Sequence, residues 1–298
     1  MDRQRSRALL GNNELIFAIS GGQGSRYDRD VFRRMVDTAA AAGATHVFVG
    51  HVDFRHDNWV LPDNTDPYAA WSNHQTNFFR VCPPEALQPW VSVDHARRVQ
   101  DQIREKLDII RPYGLKGTSF AVEPHWLPEG VYRAHPSWRG PQCELGRIAR
   151  RPYFAPNIDN AEVLDLYRAA VKEFATLFPE IDQCHFLVND SGSGLCWSPN
   201  IYPGMNGPTD SRSRDQGERI AAWLNALQDG ATAAGHPMRF NACSCGLMTE
   251  TVNSARTRCN PGCFVRDADK ESRPWGYGGA GLGEGIWSPT WPVPGLAD

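Results

Sequence analysis

The chain has 298 residues, 41% of them hydrophobic, which is enough apolar material for one large core or two small ones. The formal net charge is -3, so no basic surface for nucleic acid or an anionic membrane is indicated, and no apolar run approaches the ~20 residues of a membrane span. Eight cysteines in a chain of this length do not indicate a disulfide framework. The basic N-terminus precedes only a short, interrupted apolar segment, so we expect a cytoplasmic protein, or a secreted one if the natural N-terminus is missing.

Short apolar segments alternate with amphipathic helical patterns along the chain. The predicted strands are, in order, 14–20, 45–52, 117–122, 184–188, 238–242 and a weaker 263–265. Helix starts are predicted at Asp28 or Asp30, Ser92 and Asn160, and helix ends at Gly43, Gly114 and Gly235. Regular alternation without a break in composition favours a parallel α/β fold.

Long segments rich in Trp, Pro and Gly follow the strands, whereas the connections from helix to strand are short. This asymmetry is typical of a (β/α)8 TIM-type barrel, in which the loops after the strands carry the site. Six of the eight units are visible, so we expect the barrel to be incomplete or truncated at the C-terminus. The predicted domains are a barrel over 1–268 and an irregular Gly/Pro/Trp-rich tail over 269–298.

Acidic residues follow three of the predicted strands: Asp53, Glu123 and Asp190. The carboxyl ends of parallel strands meet at one edge, and a pair of carboxylates there suits glycoside hydrolysis. Each residue also has a structural interpretation. Asp190 suits a cap on the Ser/Gly turn that follows, Glu123 a hydrogen-bonding hub beside His125, and Asp53 an ion pair with Arg55.

Two runs of sequence and one pair of residues carry a resemblance: Glu123-Pro-His-Trp-Leu-Pro-Glu-Gly, His135-Pro-Ser-Trp-Arg-Gly-Pro141, and Asn189-Asp190. Together they resemble barrel glycoside hydrolases related to alpha-glucuronidases and beta-N-acetylhexosaminidases, over about residues 45–244. The resemblance implies that Asp190 is the general acid and Asn189 its polar partner. Those enzymes carry Asp-Glu or Asp-Asp at this strand end, whereas the amide of Asn189 cannot ionise.

Tryptophans in the loops after strands lack helical spacing, and such rings suit stacking on the C–H faces of sugars. Arg133 and Arg139 suit charge-assisted contacts to a carboxylated sugar. The predicted catalytic residues are Asp190 and Glu123. The predicted substrate-binding residues are Asn189, His125, Asp53, Arg139, Trp126, Trp138, Trp197 and His51.

Histidines near the strand ends and four cysteines raise the alternative of a metal site. The histidines are His51, His56, His125 and His185, and the cysteines are Cys243, Cys245, Cys259 and Cys263. Neither group has the tight ligand spacing of an established metal site, so we predict neither metal nor other cofactor. The predicted function is that of a glycoside hydrolase acting on a carbohydrate. A metal-dependent sugar isomerase or epimerase and a non-catalytic carbohydrate-binding barrel remain as alternatives.

Overall fold

The computed structural model describes residues 16–19, 27–50, 66–72, 77–144, 149–190, 192–198, 206–244, 247–267 and 284–287. The strands in these ranges are β1 (Ile16–Ile19), β2 (His46–Phe48), β3 (Lys116–Val122), β4 (Arg139–Gln142), β5 (Phe154–Pro156), β6 (Ile181–Val188), β7 (Arg239–Ser244), β8 (Cys263–Asp267) and β9 (Glu284–Trp287). The helices are α1 (Arg29–Ala41), α2 (Pro67–Ser72), α3 (Phe78–Val81), α4 (Val93–Ile110), α5 (Glu129–Ala134), α6 (Ala161–Leu177), α7 (Gln216–Ala233) and α8 (Thr249–Arg256).

Seven strands form one sheet in the order β8-β7-β6-β3-β2-β1-β9. The pairs from β1 to β8 are parallel, and helices connect them along the chain, so the α/β class with a parallel sheet is confirmed. β9 lies within the segment predicted to be irregular, and it pairs antiparallel with β1. β4 and β5 form a separate antiparallel hairpin. Closure into an eight-stranded barrel stays a prediction.

The helices begin at the capping residues that the sequence indicates. The side chain of Asp28 accepts a hydrogen bond from Val31 N at the start of α1, and that of Ser92 accepts one from His95 N at the start of α4. Asn160 caps α6 in the same way. These contacts satisfy N–H groups that have no partner inside a helix.

Aromatic side chains fill the space between the sheet and the helices α6 and α7. Phe186 of β6 stacks on Phe240 of β7 at 6.0 Å between ring centroids, and Trp223 of α7 lies 5.5 Å from Phe186. Phe78 of α3 meets Phe186 edge-on at 5.8 Å. Trp223 therefore belongs to the core, and the same cluster holds α3 against the sheet.

The amino edge of the sheet carries an ionic cluster around Asp182. Its carboxylate lies 3.0 Å from His46 Nε2, 2.6 Å from Lys116 Nζ and 3.6 Å from Arg239 Nη2. Burial alone would raise the pKa of Asp182, but the hydrogen bond and charge of His46, with Lys116 and Arg239, hold that pKa well below its usual range. These contacts join the starts of β2, β3, β6 and β7 at the amino edge. Among the described residues, no helix has the length and apolar character needed to span a membrane.

Candidate functional site

Asn189 begins the loop after β6 with a φ of 61°, in the left-handed region that few non-glycine residues adopt. Its side chain fixes this conformation from both ends. Nδ2 donates to Ser198 Oγ at 2.7 Å, and Oδ1 accepts from Leu195 N at 3.0 Å. Because Asn189 is only 2% exposed, its amide holds the loop and does not face solvent. The geometry therefore gives Asn189 a positioning role, while the substrate contact expected from sequence stays a prediction.

Asp190 is half-buried at the carboxyl edge, two residues after the end of β6, an interior strand of the sheet. Its main chain and Ser193 close the turn that follows. Asp190 N donates to Ser193 Oγ at 3.2 Å, and Ser193 N donates to Asp190 O at 2.9 Å. These contacts fix the position of Asp190, and the residue as a whole is partly exposed to solvent.

Trp197 is the second non-glycine residue of this loop with a positive φ, at 59°. For so bulky a residue this conformation is a genuine outlier, which persists only where the surroundings hold it. Its main-chain N–H donates to Asn206 O at 2.7 Å, and its indole N–H donates to Pro208 O at 2.9 Å. The ring is half-buried, with the Arg212 guanidinium 5.3 Å from its centroid.

Glu123 lies at the end of β3, and its carboxylate is fully buried on the helix side of the sheet. Oε1 accepts from Phe78 N at 2.9 Å, while Oε2 accepts from His125 N at 3.2 Å and from Tyr167 Oη of α6 at 2.9 Å. Burial raises the pKa of Glu123 to about 7, against the opposing effect of these hydrogen bonds. A carboxylate without solvent access cannot reach a substrate. The geometry therefore favours the structural hub over the predicted catalytic role.

The loops after β3 and β6 are bonded to each other, and we call 123–127 and 189–198 the paired loops. Trp126 N donates to Gly192 O at 2.8 Å, and Gly194 N donates to Pro124 O at 3.2 Å. His125 and Ser193 form an antiparallel bridge between them. The position of Asp190 therefore depends on both loops.

Three side chains predicted to contact sugar are instead packed inside the protein. His125 Nε2 lies 3.1 Å from Ser72 O, and the Trp126 indole N–H donates to Ser72 Oγ at 2.8 Å. Trp138 donates to Glu162 Oε2 at 2.6 Å, and its ring stacks on His135 at 3.8 Å. Trp138 is 4% exposed, so the expectation that it offers an open stacking face is not met.

Other predicted residues lie outside the described part of the chain. His51 and Asp53 are among them, so their roles stay predictions. Cys245 is also outside, and the side chain of Cys243 is not described. Among the residues that are described, no three His, Cys, Asp or Glu side chains form a group able to hold a metal ion.

A cavity of about 530 Å³ opens beside the paired loops. We call it the arginine cavity, and its lining includes Trp90, Arg133, Arg139, Arg151, Tyr153 and Phe154. Trp126 forms part of its wall, and Gly192 packs closely on this indole, since an added Cβ there would be 2.7 Å from Trp126 Cδ1. Trp126 thus contacts both the cavity and the loop that carries Asp190.

Sequence reasoning named Arg133, Arg139 and Trp126 but missed the rest of this cavity. Its other side is built by the β4–β5 hairpin, whose Phe154 O accepts from Leu127 N at 3.1 Å. The run Arg150-Arg151-Pro-Tyr-Phe154 was the available signal, since two arginines beside two aromatics are unusual in a surface connection. Pairing between β4 and β5 contains a register shift, which no sequence pattern marks.

No family model matches the chain, and no curated protein is similar to it. Among solved structures, it is similar to the GH36 alpha-galactosidase AgaA of Geobacillus stearothermophilus, with 15% identity and a TM-score of 0.46 over 80% of this chain and 28% of that one. It is also similar to a GH20 catalytic module of the pneumococcal exo-beta-D-N-acetylglucosaminidase StrH, with 13% identity and a TM-score of 0.48 over 97% of this chain and 63% of that one. A third similar structure is the Thermobaculum terrenum O-GlcNAc hydrolase, with 9% identity and a TM-score of 0.45 over 85% of this chain and 40% of that one.

Glycoside hydrolases are therefore among the solved structures that this chain resembles, at low identity. The chain spans less than two thirds of the length of each of these three proteins. Such identities and TM-scores do not assign the chain to a family, so the following proposals rest on the residues of the site.

Proposed function

We propose that the chain is a glycoside hydrolase, or the barrel portion of one, with Asp190 as the general acid. The observation that supports this proposal is the loop after β6, which holds a partly exposed aspartate at the carboxyl edge of a parallel sheet. The same loop has left-handed backbone at two non-glycine residues, Asn189 and Trp197. Strained conformations of non-glycine residues concentrate at functional sites, because selection for stability alone does not retain them.

In this proposal each residue of the paired loops has a distinct task. Asp190 delivers a proton to the glycosidic oxygen as the bond to the leaving group breaks. Asn189 holds the loop through Ser198 and Leu195 and so orients Asp190. Glu123 acts as a positioning residue, since its bonds to Phe78, His125 and Tyr167 fix the partner loop from the helix side.

The test compares Asp190→Asn with the unchanged protein on a panel of aryl glycosides and oligosaccharides. Loss of a general acid lowers the rate by about 10²–10⁴ on substrates with poor leaving groups and by less on activated aryl glycosides. The matched control is Asp229→Asn, which makes the same change at an exposed position of α7. Equal turnover of the poor substrates by both variants would remove Asp190 from the mechanism.

A non-catalytic carbohydrate-binding protein is the second candidate, and the burial of Glu123 favours it. Glycoside hydrolysis generally requires two carboxylates that reach the scissile bond, and Glu123 is 0% exposed. Under this candidate, calorimetry detects sugar binding while no glycoside is turned over. Asp190→Asn would then change neither turnover nor the number of sugar sites.

A further inference from the structure

We infer that the arginine cavity binds a sugar ring bearing an oxyanion, either a carboxylate or a sulfate. This inference rests on the proposed carbohydrate function and deepens it by naming the class of ligand. Carboxylate and sulfate both offer the oxygen atoms that guanidinium groups bind with charge-assisted hydrogen bonds. The two sources differ in charge distribution and geometry, and separate ligands distinguish them in the test below.

The charges around the cavity favour an anion. Three arginines, Arg133, Arg139 and Arg151, line it together with one carboxylate, Glu129. Glu129 is already engaged by Arg139, whose guanidinium also lies 4.4 Å from the centroid of Phe154. Arg133 is exposed and forms no ion pair with any residue in the described ranges. The lining therefore has an excess of positive charge that a ligand oxyanion can neutralise.

The walls of the cavity suit a ring. Trp90, Tyr153 and Phe154 present aromatic surface, and such surface packs well on the C–H face of a pyranose. Gly130 is what allows Trp90 to approach, because an added Cβ there would lie 2.8 Å from Trp90 Cδ1. A volume of about 530 Å³ falls in the range of small-molecule sites and has room for one or two sugar rings.

The location connects this cavity to the proposed chemistry. Trp126 lines the cavity, and its main-chain N–H donates to Gly192 O at 2.8 Å. A ring bound in the cavity would thus lie beside the loop that carries Asp190. We therefore place the charged sugar in a subsite next to the scissile bond.

The experiment measures binding by titration calorimetry, with glucuronic acid, glucose 6-sulfate and glucose as the three probes. We expect one or both of the anionic sugars to bind more tightly than glucose, with an advantage that shrinks as salt is added. Arg133→Gln should weaken the binding of the anionic sugar about tenfold and leave glucose unaffected. The matched control is Arg98→Gln on the exposed face of α4, which should bind all three sugars as the unchanged protein does.

A second variant tests the aromatic wall. Gly130→Ala should displace Trp90 and weaken the binding of all three sugars by the same factor, since the variant leaves the charges of the cavity in place. Equal affinity for the anionic sugars and glucose, equal effects of Arg133→Gln and Arg98→Gln, or no binding of any probe at millimolar concentration would each overturn the inference. Binding without turnover would instead uphold the inference and remove only the hydrolase proposal.

Discussion

Glu123 links the stability of the protein to pH, because its carboxyl group is neutral over a wider pH range in the folded protein than in the unfolded chain. Burial raises its pKa from an ordinary value of 4.5 to about 7. A raised carboxyl pKa contributes stability that is fully present below the unfolded value and lost as the pH rises through the folded one. Between pH 4.5 and pH 7 this amounts to a loss of roughly 3 kcal/mol in the free energy of unfolding.

Glu123→Gln should remove this dependence, because the amide stays neutral at every pH. We expect the variant to match the unchanged protein near pH 5 and to exceed it by roughly 2–3 kcal/mol at and above about pH 7. Chemical denaturation at several pH values measures both. Glu85→Gln is the control, since Glu85 is exposed. At every pH its free energy of unfolding should stay within about 0.5 kcal/mol of that of the unchanged protein. Parallel pH profiles for Glu123→Gln and the unchanged protein would contradict the assignment.

The burial of Glu123 shows where sequence reasoning about single residues stops. The sequence places Glu123 at a strand end, and the structure agrees. Which side of the sheet receives the side chain depends on the alternation within β3, whose residues are mostly buried on both faces. A strand of this kind carries no polar alternation, so the sequence cannot separate the helix side from the ligand side.

The loop after β6 illustrates how an element can depend on one strained residue. Asn189 combines a left-handed backbone with two side-chain hydrogen bonds, to Ser198 and Leu195. Replacing it removes the bonds in every case, but only glycine adopts the same φ without strain. The two contributions can therefore be separated by comparing substitutions.

Asn189→Ala should be less stable than Asn189→Gly by about 1–2 kcal/mol, because alanine in the left-handed region meets its own carbonyl. Both variants should be less stable than Ser198→Ala, which loses one hydrogen bond and about 1 kcal/mol. Denaturant titrations of the three variants give the order. If Asn189→Ala equals or exceeds Asn189→Gly in stability, the left-handed conformation at Asn189 is not retained in solution.

Helix α7 contacts α6 through a glycine. A Cβ added at Gly230 would lie 2.5 Å from Arg168 O. Alanine has the higher helix propensity by about 1 kcal/mol, but the carbonyl is backbone and cannot yield without moving the helix. We expect Gly230→Ala to lower the free energy of unfolding by about 1–3 kcal/mol, measured by thermal or denaturant unfolding. Thr232→Ala, at an exposed site of α7, should be close to neutral, and a stabilised Gly230→Ala would refute the close contact.

Elements with a clear period in the spacing of their apolar residues were predictable from the sequence, and the shorter elements were not. Caps at Asp28, Ser92 and Asn160 and an apolar stripe marked the long helices. The eight-residue helix α8 buries only Val252 and Ala255, which is too few positions to reveal a period. The β4–β5 hairpin was missed for a related reason, because its strands are three and four residues long.

For the whole molecule, β9 completes one edge of the sheet. It pairs with all of β1, from Ile16 opposite Trp287 to Ile19 opposite Glu284. Sequence reasoning treated 269–298 as an irregular tail, because four residues in a Gly-rich segment carry no strand pattern. A sheet edge that loses its partner strand exposes unpaired N–H and C=O groups and tends to associate with other chains.

Removing residues 269–298 should therefore lower the thermal unfolding temperature and increase self-association. Removing only 288–298 keeps β9, so that shorter deletion is the matched control and should behave like the full chain. Size-exclusion chromatography with light scattering, combined with thermal unfolding, tests both. Two deletions with identical behaviour would show that β9 does not support β1.

The hydrogen bonds within the paired loops also limit how this scaffold can be altered. Trp126 to Gly192 and Gly194 to Pro124 are main-chain contacts, and Gly192 cannot take a side chain without meeting Trp126. A graft that transfers one loop alone into another protein would lose its lateral support and collapse into a different shape. Successful transplantation requires both segments, together with Ser72 and Tyr167, which anchor them from beneath.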